Sequence, residues 1–78
     1  MKTITLKYFG AIAELTGKDA EELPFDHPSV EKMIEVVKGR YPGLEELTFQ
    51  VALNKKIVKE ADMQPTDVLA FLPPFSGG

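Results

Sequence analysis

Apolar and polar residues alternate near the start of the chain, in the segment KTITLKYF. A period of two is typical of a β-strand with one buried face. It places Ile4, Leu6 and Tyr8 together on the buried face, with threonine and lysine on the other face. Phe9 breaks the pattern, because it is an aromatic residue on the otherwise polar face.

A helical period is clearest after Ser29, which is a good N-cap residue. Apolar side chains recur there at the spacing of one helix face. They are Val30, Met33, Ile34, Val37 and Tyr41. Gly39, or the pair Pro42–Gly43, should end this helix. The segment AIAELTG predicts a shorter helix earlier in the chain, closed by Gly17.

Further segments predict strands. EELPF is a weak candidate, whereas FQVALN is a clear one, and KKIV could pair back with it across Asn54–Lys55. DVLAFLPP is apolar on both faces, so it should lie centrally in a sheet or meet a partner with its outer face. Pro73 and Pro74 lack the backbone donor and should end its pairing. One amphipathic helix can cover one face of a mixed sheet, so this order of elements predicts an α+β roll.

The chain of 78 residues is short enough for one domain. We expect residues 1–74 to form that domain and residues 75–78 to be a flexible tail. No apolar run approaches the roughly 20 residues that span a bilayer, and no signal peptide is visible, so we expect a cytoplasmic protein without a membrane partner. Net charge is −3, and Lys55, Lys56 and Lys59 form the only basic cluster, which disfavours nucleic acid as a partner.

Residues inside the sequence offer no set for catalysis or metal binding. There is no cysteine, so the chain has neither a thiol nucleophile nor a cysteine-based metal site. His27, the one histidine, lies between Asp26 and Pro28 and is interpreted as a turn residue. The acidic pairs Glu21–Glu22 and Glu45–Glu46 are interpreted as solvated charges, since adjacent residues do not face each other. The chain is therefore not expected to be an enzyme by itself.

The C-terminal octet FLPPFSGG has a composition suited to a narrow channel. Phe75 offers one apolar anchor, whereas Ser76, Gly77 and Gly78 have little or no side chain. No side-chain charge follows Asp67, so the α-carboxylate is the only ionised group of the tail. A carboxylate is anionic at pH 7 and is a poor acyl donor. To react it would need activation, most simply adenylation by a separate ATP-dependent enzyme.

Three segments, KYFGAIAELTG, VALNKKIV and DVLAFLPPFSGG, give the chain a resemblance to the ubiquitin-like sulfur carriers. It is most similar to the MoaD-like small subunits of molybdopterin synthase, which implies a β-grasp fold over nearly the whole chain. The resemblance implies that a MoeB-like enzyme uses ATP to adenylate Gly78, which becomes a thiocarboxylate, with no cofactor or metal bound to the chain. The tail of Phe75, Ser76 and Gly77 would then enter a MoaE-like large subunit, within a heterotetramer, and donate sulfur to cyclic pyranopterin monophosphate.

The resemblance also implies an apolar docking surface, at positions that match Phe9, Ile57 and Leu72. The sequence departs from the family at two places. Gln-Pro-Thr-Asp, residues 64–67, stands where a glycine-containing turn is common, and Phe75 stands where a smaller aliphatic residue is usual. Proline can set φ for a turn by itself, so we expect a changed turn and an intact function.

Other functions remain open at this point. A related carrier could serve thiazole, cysteine or tRNA thiolation, although the double proline disfavours the thiazole branch. A ubiquitin-like modifier would be joined through Gly78 to lysines of target proteins. A plain interaction domain would have an inert tail. The resemblance also leaves open whether the final cofactor holds molybdenum or tungsten.

Overall fold

The computed structural model describes residues 2–73. Strands and helices follow one another along the chain in the predicted order. They are β1 (Thr3–Tyr8), α1 (Ala11–Thr16), β2 (Ala20–Pro24), α2 (Val30–Arg40), a 3-10 helix (Pro42–Glu46), β3 (Gln50–Leu53), β4 (Lys56–Val58) and β5 (Val68–Leu72).

The strands form one mixed sheet with the order β2-β1-β5-β3-β4 in this part of the chain. β1 and β5 are parallel neighbours, with Leu6 opposite Leu69 and Tyr8 opposite Phe71. The other pairs, β1–β2, β3–β5 and β3–β4, are antiparallel. β5 therefore has a neighbour on each side, which is the central position that its two apolar faces predicted.

The core lies between α2 and one face of the sheet. Val30, Met33 and Val37 supply the helix side, as their spacing predicted. The most buried side chains of β1 and β5 supply the sheet side; they are Ile4, Leu6, Tyr8, Leu69 and Phe71. Burial of an aliphatic or phenylalanine side chain stabilises by about 1.5–3 kcal/mol. This face of the sheet, and not the opposite one, therefore holds the fold together.

Local signals set the ends of the helices. The Ser29 hydroxyl accepts a hydrogen bond from the backbone N–H of Lys32 at 3.4 Å, so the predicted N-cap is confirmed. Gly17 ends α1 in the left-handed region, with φ of 73°. α2 continues through Gly39 and stops shortly before Pro42, the first residue of the 3-10 helix. Glycine only weakens a helix, whereas proline removes a donor and clashes with the preceding turn.

Two turns connect the last three strands. The predicted hairpin of β3 and β4 is confirmed, and its turn residues Asn54 and Lys55 have φ of 52° and 73°. Two consecutive positive φ angles match the twist of the flanking strands. Before β5, the N–H of Asp67 donates to the carbonyl oxygen of Gln64 at 2.9 Å, and the Gln64 N–H donates to Asp67 Oδ2 at 2.8 Å. Pro65 takes the second position of this closed turn, where its fixed φ is favourable.

These elements confirm the α+β prediction, with one main helix on one face of a mixed sheet. Within residues 2–73, no helix has both the length and the apolarity needed to cross a membrane. The same residues contain no cluster of three histidine or acidic side chains that could hold a metal ion.

Candidate functional site

The register of the sheet builds a row of residues on the face turned away from α2. Lys7 in β1 lies opposite Ala70 in β5. Ala70 in turn lies opposite Ala52 in β3, which lies opposite Ile57 in β4. The two alanines in the middle of the row are short, so they form a low floor between larger side chains.

This floor is the base of a groove of about 590 Å³, which we call the outer groove. Its lining residues are Lys7, Phe9, Ala52, Asn54, Lys55, Ile57, Val68, Ala70 and Leu72. Phe9 is 44% exposed and Ile57 is 52% exposed, while Leu72 is partly buried. The structure thus brings together the three residues predicted for a docking surface. Exposed apolar surface of this kind is typical of binding sites.

Positive charge borders the outer groove. Lys7 and Lys55 are both exposed. Among the described residues that line the groove, these two carry a charge. Asp67 lies beside the groove residue Asn54, but its carboxylate already accepts hydrogen bonds, from Asn54 Nδ2 at 2.9 Å and from the N–H of Gln64. The rim therefore favours a partner that places acidic groups around an apolar centre.

β5 connects the outer groove to the C-terminal end of the chain. Leu72 lines the groove, and Pro73 follows it as the last described residue. The backbone N–H of Phe9 donates to the carbonyl oxygen of Phe71 at 3.1 Å, which continues the contact between β1 and β5 past the last paired residues. The chain therefore passes Pro73 at the edge of the groove. The predicted tail residues lie outside the described residues; they are Phe75, Ser76, Gly77 and Gly78.

A largely enclosed carboxylate on the other face of the sheet corrects one prediction. Glu21 was interpreted as a solvated charge, but its side chain is only 9% exposed. Its Oε2 accepts hydrogen bonds from the hydroxyls of Tyr8 at 2.6 Å and Tyr41 at 2.7 Å. Its Oε1 lies 3.0 Å from Nζ of Lys18 and 3.8 Å from the guanidinium of Arg40. The interpretation was wrong because strand alternation turns only one residue of the acidic pair inward.

Opposing influences act on the pKa of Glu21. Burial, the largest of them, raises the pKa, but hydrogen bonds from Tyr8, Tyr41 and Lys18 together hold it below its ordinary value. Burial and then the hydrogen bond to Glu21 raise the pKa of the Tyr8 hydroxyl well above its ordinary value. At pH 7 Glu21 is therefore ionised and Tyr8 is neutral. Both oxygens of Glu21 make contacts within the chain, so we assign this carboxylate to the stability of the fold.

The sequence did carry a signal for Glu21. Leu23 and Phe25 are buried, and Glu21 precedes them at the same period of two. The register also places Glu21 opposite the buried Leu6 of β1. The adjacent acidic residue hides this alternation, which is why EELPF reads only as a weak strand.

The other internal candidates have the roles predicted for them. His27 accepts a hydrogen bond at Nδ1 from the backbone N–H of Ser29 at 3.2 Å, in the turn before α2. Glu45 and Glu46 are exposed within the 3-10 helix. None of the three belongs to the outer groove.

Solved structures of ubiquitin-like proteins share this fold. A candidate molybdopterin converting factor subunit 1 from Pyrococcus furiosus matches with a TM-score of 0.88 and 24% identity, covering 96% of this chain and 100% of that one. SAMP1 from Haloferax volcanii matches with a TM-score of 0.82 and 24% identity, covering 97% and 99%. A complex of subunits 1 and 2 of molybdopterin-converting factor from Helicobacter pylori matches with a TM-score of 0.71 and 21% identity, covering 97% and 99%. These likenesses confirm the β-grasp fold.

Two curated relatives align with nearly the whole chain. The molybdopterin synthase sulfur carrier subunit of Homo sapiens is 31% identical over 84 residues, which covers 96% of this chain and 93% of the relative. The protein of the same name from Escherichia coli K12 is 30% identical over 80 residues, covering 96% and 99%. The sequence profile of the ThiS family matches residues 6–78. The chain therefore belongs to the ThiS family of ubiquitin-like sulfur carriers.

Proposed function

We propose that this chain is the sulfur-carrier subunit of a molybdopterin synthase and that its tail, residues 75–78, is the part that reacts. The observation that carries the proposal is the position of the outer groove, because Phe9, Ile57 and Leu72 lie together at the strand end that leads to the tail. A partner bound in the groove would hold the domain where the tail can enter the partner's active site. The names of the two curated relatives support this pathway over the other thiolation pathways.

The reactive group is the α-carboxylate of Gly78, which is ionised at pH 7 because its reference pKa is about 3.5. In adenylation, a carboxylate oxygen attacks the α-phosphorus of ATP, pyrophosphate leaves and an acyl-adenylate forms. Sulfur at the oxidation level of sulfide then attacks the acyl carbon, the bond to AMP breaks, AMP leaves, and a thiocarboxylate remains. A MoeB-like activating enzyme would bind the ATP. The chain itself is proposed to bind no cofactor and no metal.

The partner follows from the same proposal. A MoaE-like large subunit would dock on the outer groove and receive the tail, with two copies of each chain in a heterotetramer. The thiocarboxylate sulfur would pass to cyclic pyranopterin monophosphate, while water cleaves its bond to the Gly78 carbonyl carbon and restores the carboxylate. Two such transfers would complete the dithiolene that later binds molybdenum or tungsten. The Helicobacter pylori structure, a complex of subunits 1 and 2, supports a large-subunit partner.

Formation of the thiocarboxylate tests the proposal. The purified chain is incubated with a MoeB-like enzyme, ATP and a sulfur donor, and its intact mass is measured. We expect a product in which one sulfur replaces one oxygen; no such product with any candidate activating enzyme would contradict the proposal.

Sulfur transfer to the pyranopterin, with the large subunit present, identifies the pathway. Transfer to thiazole, cysteine or tRNA would indicate another carrier, and lysine adducts in cells would indicate a modifier.

Replacing Phe9 by arginine should weaken binding of the large subunit by about 2 kcal/mol, or about thirtyfold in Kd. The change removes an aromatic contact and places a charged side chain in the apolar part of the groove, where docking would strip it of water. Phe9 follows the end of β1 and is 44% exposed, so the free energy of unfolding should change little. Isothermal titration calorimetry measures the affinity.

Val36→Arg is the matched control for this variant. Val36 is 48% exposed on α2, which packs against the opposite face of the sheet. The Kd of the Val36→Arg variant for the large subunit should stay within about twofold of the wild-type value. If Phe9→Arg bound as tightly as Val36→Arg, Phe9 would not belong to the interface. Leu72→Arg is a less clean test, because β5 is central and the substitution should also destabilise the domain.

A further inference from the structure

Pro73 lies against Gly10 at the point where β5 has ended. A Cβ atom built on Gly10 would lie 3.2 Å from Cγ of Pro73, 3.6 Å from its Cβ and 3.7 Å from its Cδ. Three atoms of the proline ring thus cover the position where any other residue would carry its side chain. Gly10 leaves the space into which this ring packs.

The backbone of Gly10 also requires glycine. Its φ of 58° and ψ of −134° fall in a region that residues with a Cβ rarely occupy. This conformation turns the chain directly from the end of β1 into α1, for which Gly10 is the N-cap residue. The contact with β5 is kept through the turn, since the Phe9 N–H still donates to the Phe71 carbonyl oxygen.

The ring contact restricts the direction in which the chain can continue. Proline fixes its own φ near −65°, and a following proline, here Pro74, restricts ψ of Pro73 to extended values. With the ring also packed on Gly10, the body of the domain sets the direction of the chain at Pro73. Five residues extend at most about 17 Å, so if a partner's channel held them fully extended, a rotation of about 10° at Pro73 would displace the terminal carboxylate by up to about 3 Å.

We infer that Gly10 is a positioning residue, which directs the tail by receiving the ring of Pro73. The effect of Gly10 on adenylation rests on the proposed function, in which the tail is the reacting segment. Gly10 itself is not a catalytic residue and acts only through Pro73. A Cβ at 3.2 Å from the ring is closer than ordinary contact, so Gly10→Ala has to shift or tilt Pro73.

The inference is tested by the rate at which the activating enzyme exchanges pyrophosphate into ATP in the presence of this chain. The kcat/KM of that reaction is measured with the chain as the varied substrate. Gly10→Ala should lower kcat/KM about tenfold, since a displacement of about 1 Å can cost up to about 100-fold in rate. Gly17→Ala is the matched control: it also places alanine at positive φ, 73°, but no described atom lies within 4 Å of the added Cβ. Its kcat/KM should stay within about twofold of the wild-type value. Equal kcat/KM values for the two variants would overturn the inference.

The Pro73→Ala background separates positioning from simple destabilisation. Without the proline ring, a methyl group at Gly10 has nothing to displace. Gly10→Ala should therefore change kcat/KM by no more than about twofold in that background. Backbone strain at Gly10 would persist in both backgrounds, so a full tenfold loss in the double variant would contradict the inference.

A second measurement does not need the activating enzyme. The chain has no cysteine, so Ser76→Cys offers a single site for a nitroxide label, and broadening of backbone amide NMR signals reports where the label lies. We expect Gly10→Ala to change the broadening pattern and Gly17→Ala to leave it unchanged. Identical broadening patterns in the labelled parent chain, the labelled Gly10→Ala variant and the labelled Gly17→Ala variant would overturn the inference. A changed pattern in a chain that is never adenylated would uphold the role of Gly10 and contradict the proposed function.

Discussion

Deletion of Gly78 is expected to abolish thiocarboxylate formation and to leave the domain folded. The deletion moves the terminal carboxylate back by one residue, about 3.5 Å along an extended chain. Since misplacement by about 1 Å can cost about 100-fold in rate, adenylation should fall below detection. The described core residues run from Ile4 to Phe71, so the free energy of unfolding should not change. Intact mass after the activation reaction and urea denaturation measure the two effects.

Gly39→Ala is a suitable control for the deletion. It also removes a glycine, but from α2, where no described atom outside the adjacent backbone of the helix lies within 4 Å of an added Cβ. It should form the thiocarboxylate at the wild-type rate and gain up to about 1 kcal/mol of stability, because alanine favours the helix. Thiocarboxylate formation by the chain that lacks Gly78 would show that this residue is not the reacting one.

The fold could be predicted from the sequence because its strongest signals are local. Alternation in β1 and the helical period of α2 each identify a buried face without knowledge of the partner element. The anomalous position of Phe9 and the two apolar faces of β5 also indicated a second apolar surface. The register then shows why Ile57 joins that surface, through Ala52 and Ala70 in the strands between.

Two features could not be predicted because they depend on residues far apart in the chain. The environment of Glu21 needs Tyr8 from β1 and Tyr41 from the end of α2, which only the assembled fold brings to one carboxylate. The contact between Gly10 and Pro73 likewise joins the start of α1 to the end of β5. Glycine and proline are common at element ends, so the sequence gives no sign that these two meet.

Replacing Glu21 by alanine should lower the free energy of unfolding by about 3 kcal/mol, because hydrogen bonds to a charged group contribute about 1.5–3 kcal/mol each. The Tyr8 residue is only 2% exposed, so its hydroxyl would lose its charged partner and gain little contact with water. Tyr41 is partly exposed and would be rehydrated, which limits the loss. The melting temperature should fall by about 15 °C in a domain of this size. Calorimetry and urea denaturation measure both quantities.

Glu21→Gln tests the charge of the network through its pH dependence. The pKa of Glu21 is lower in the folded chain than in the unfolded chain, so the ionised form stabilises the fold. That contribution is fully present above the unfolded pKa of about 4.3 and is lost as pH falls through the folded pKa. The difference in free energy of unfolding between wild type and Glu21→Gln should therefore be largest near neutral pH and shrink in acid.

Glu22→Gln is the matched control, since it makes the same charge change at the exposed neighbouring position. Its free energy of unfolding should stay within about 0.5 kcal/mol of wild type at every pH. If Glu21→Gln followed Glu22→Gln across the pH range, the network would not contribute to stability.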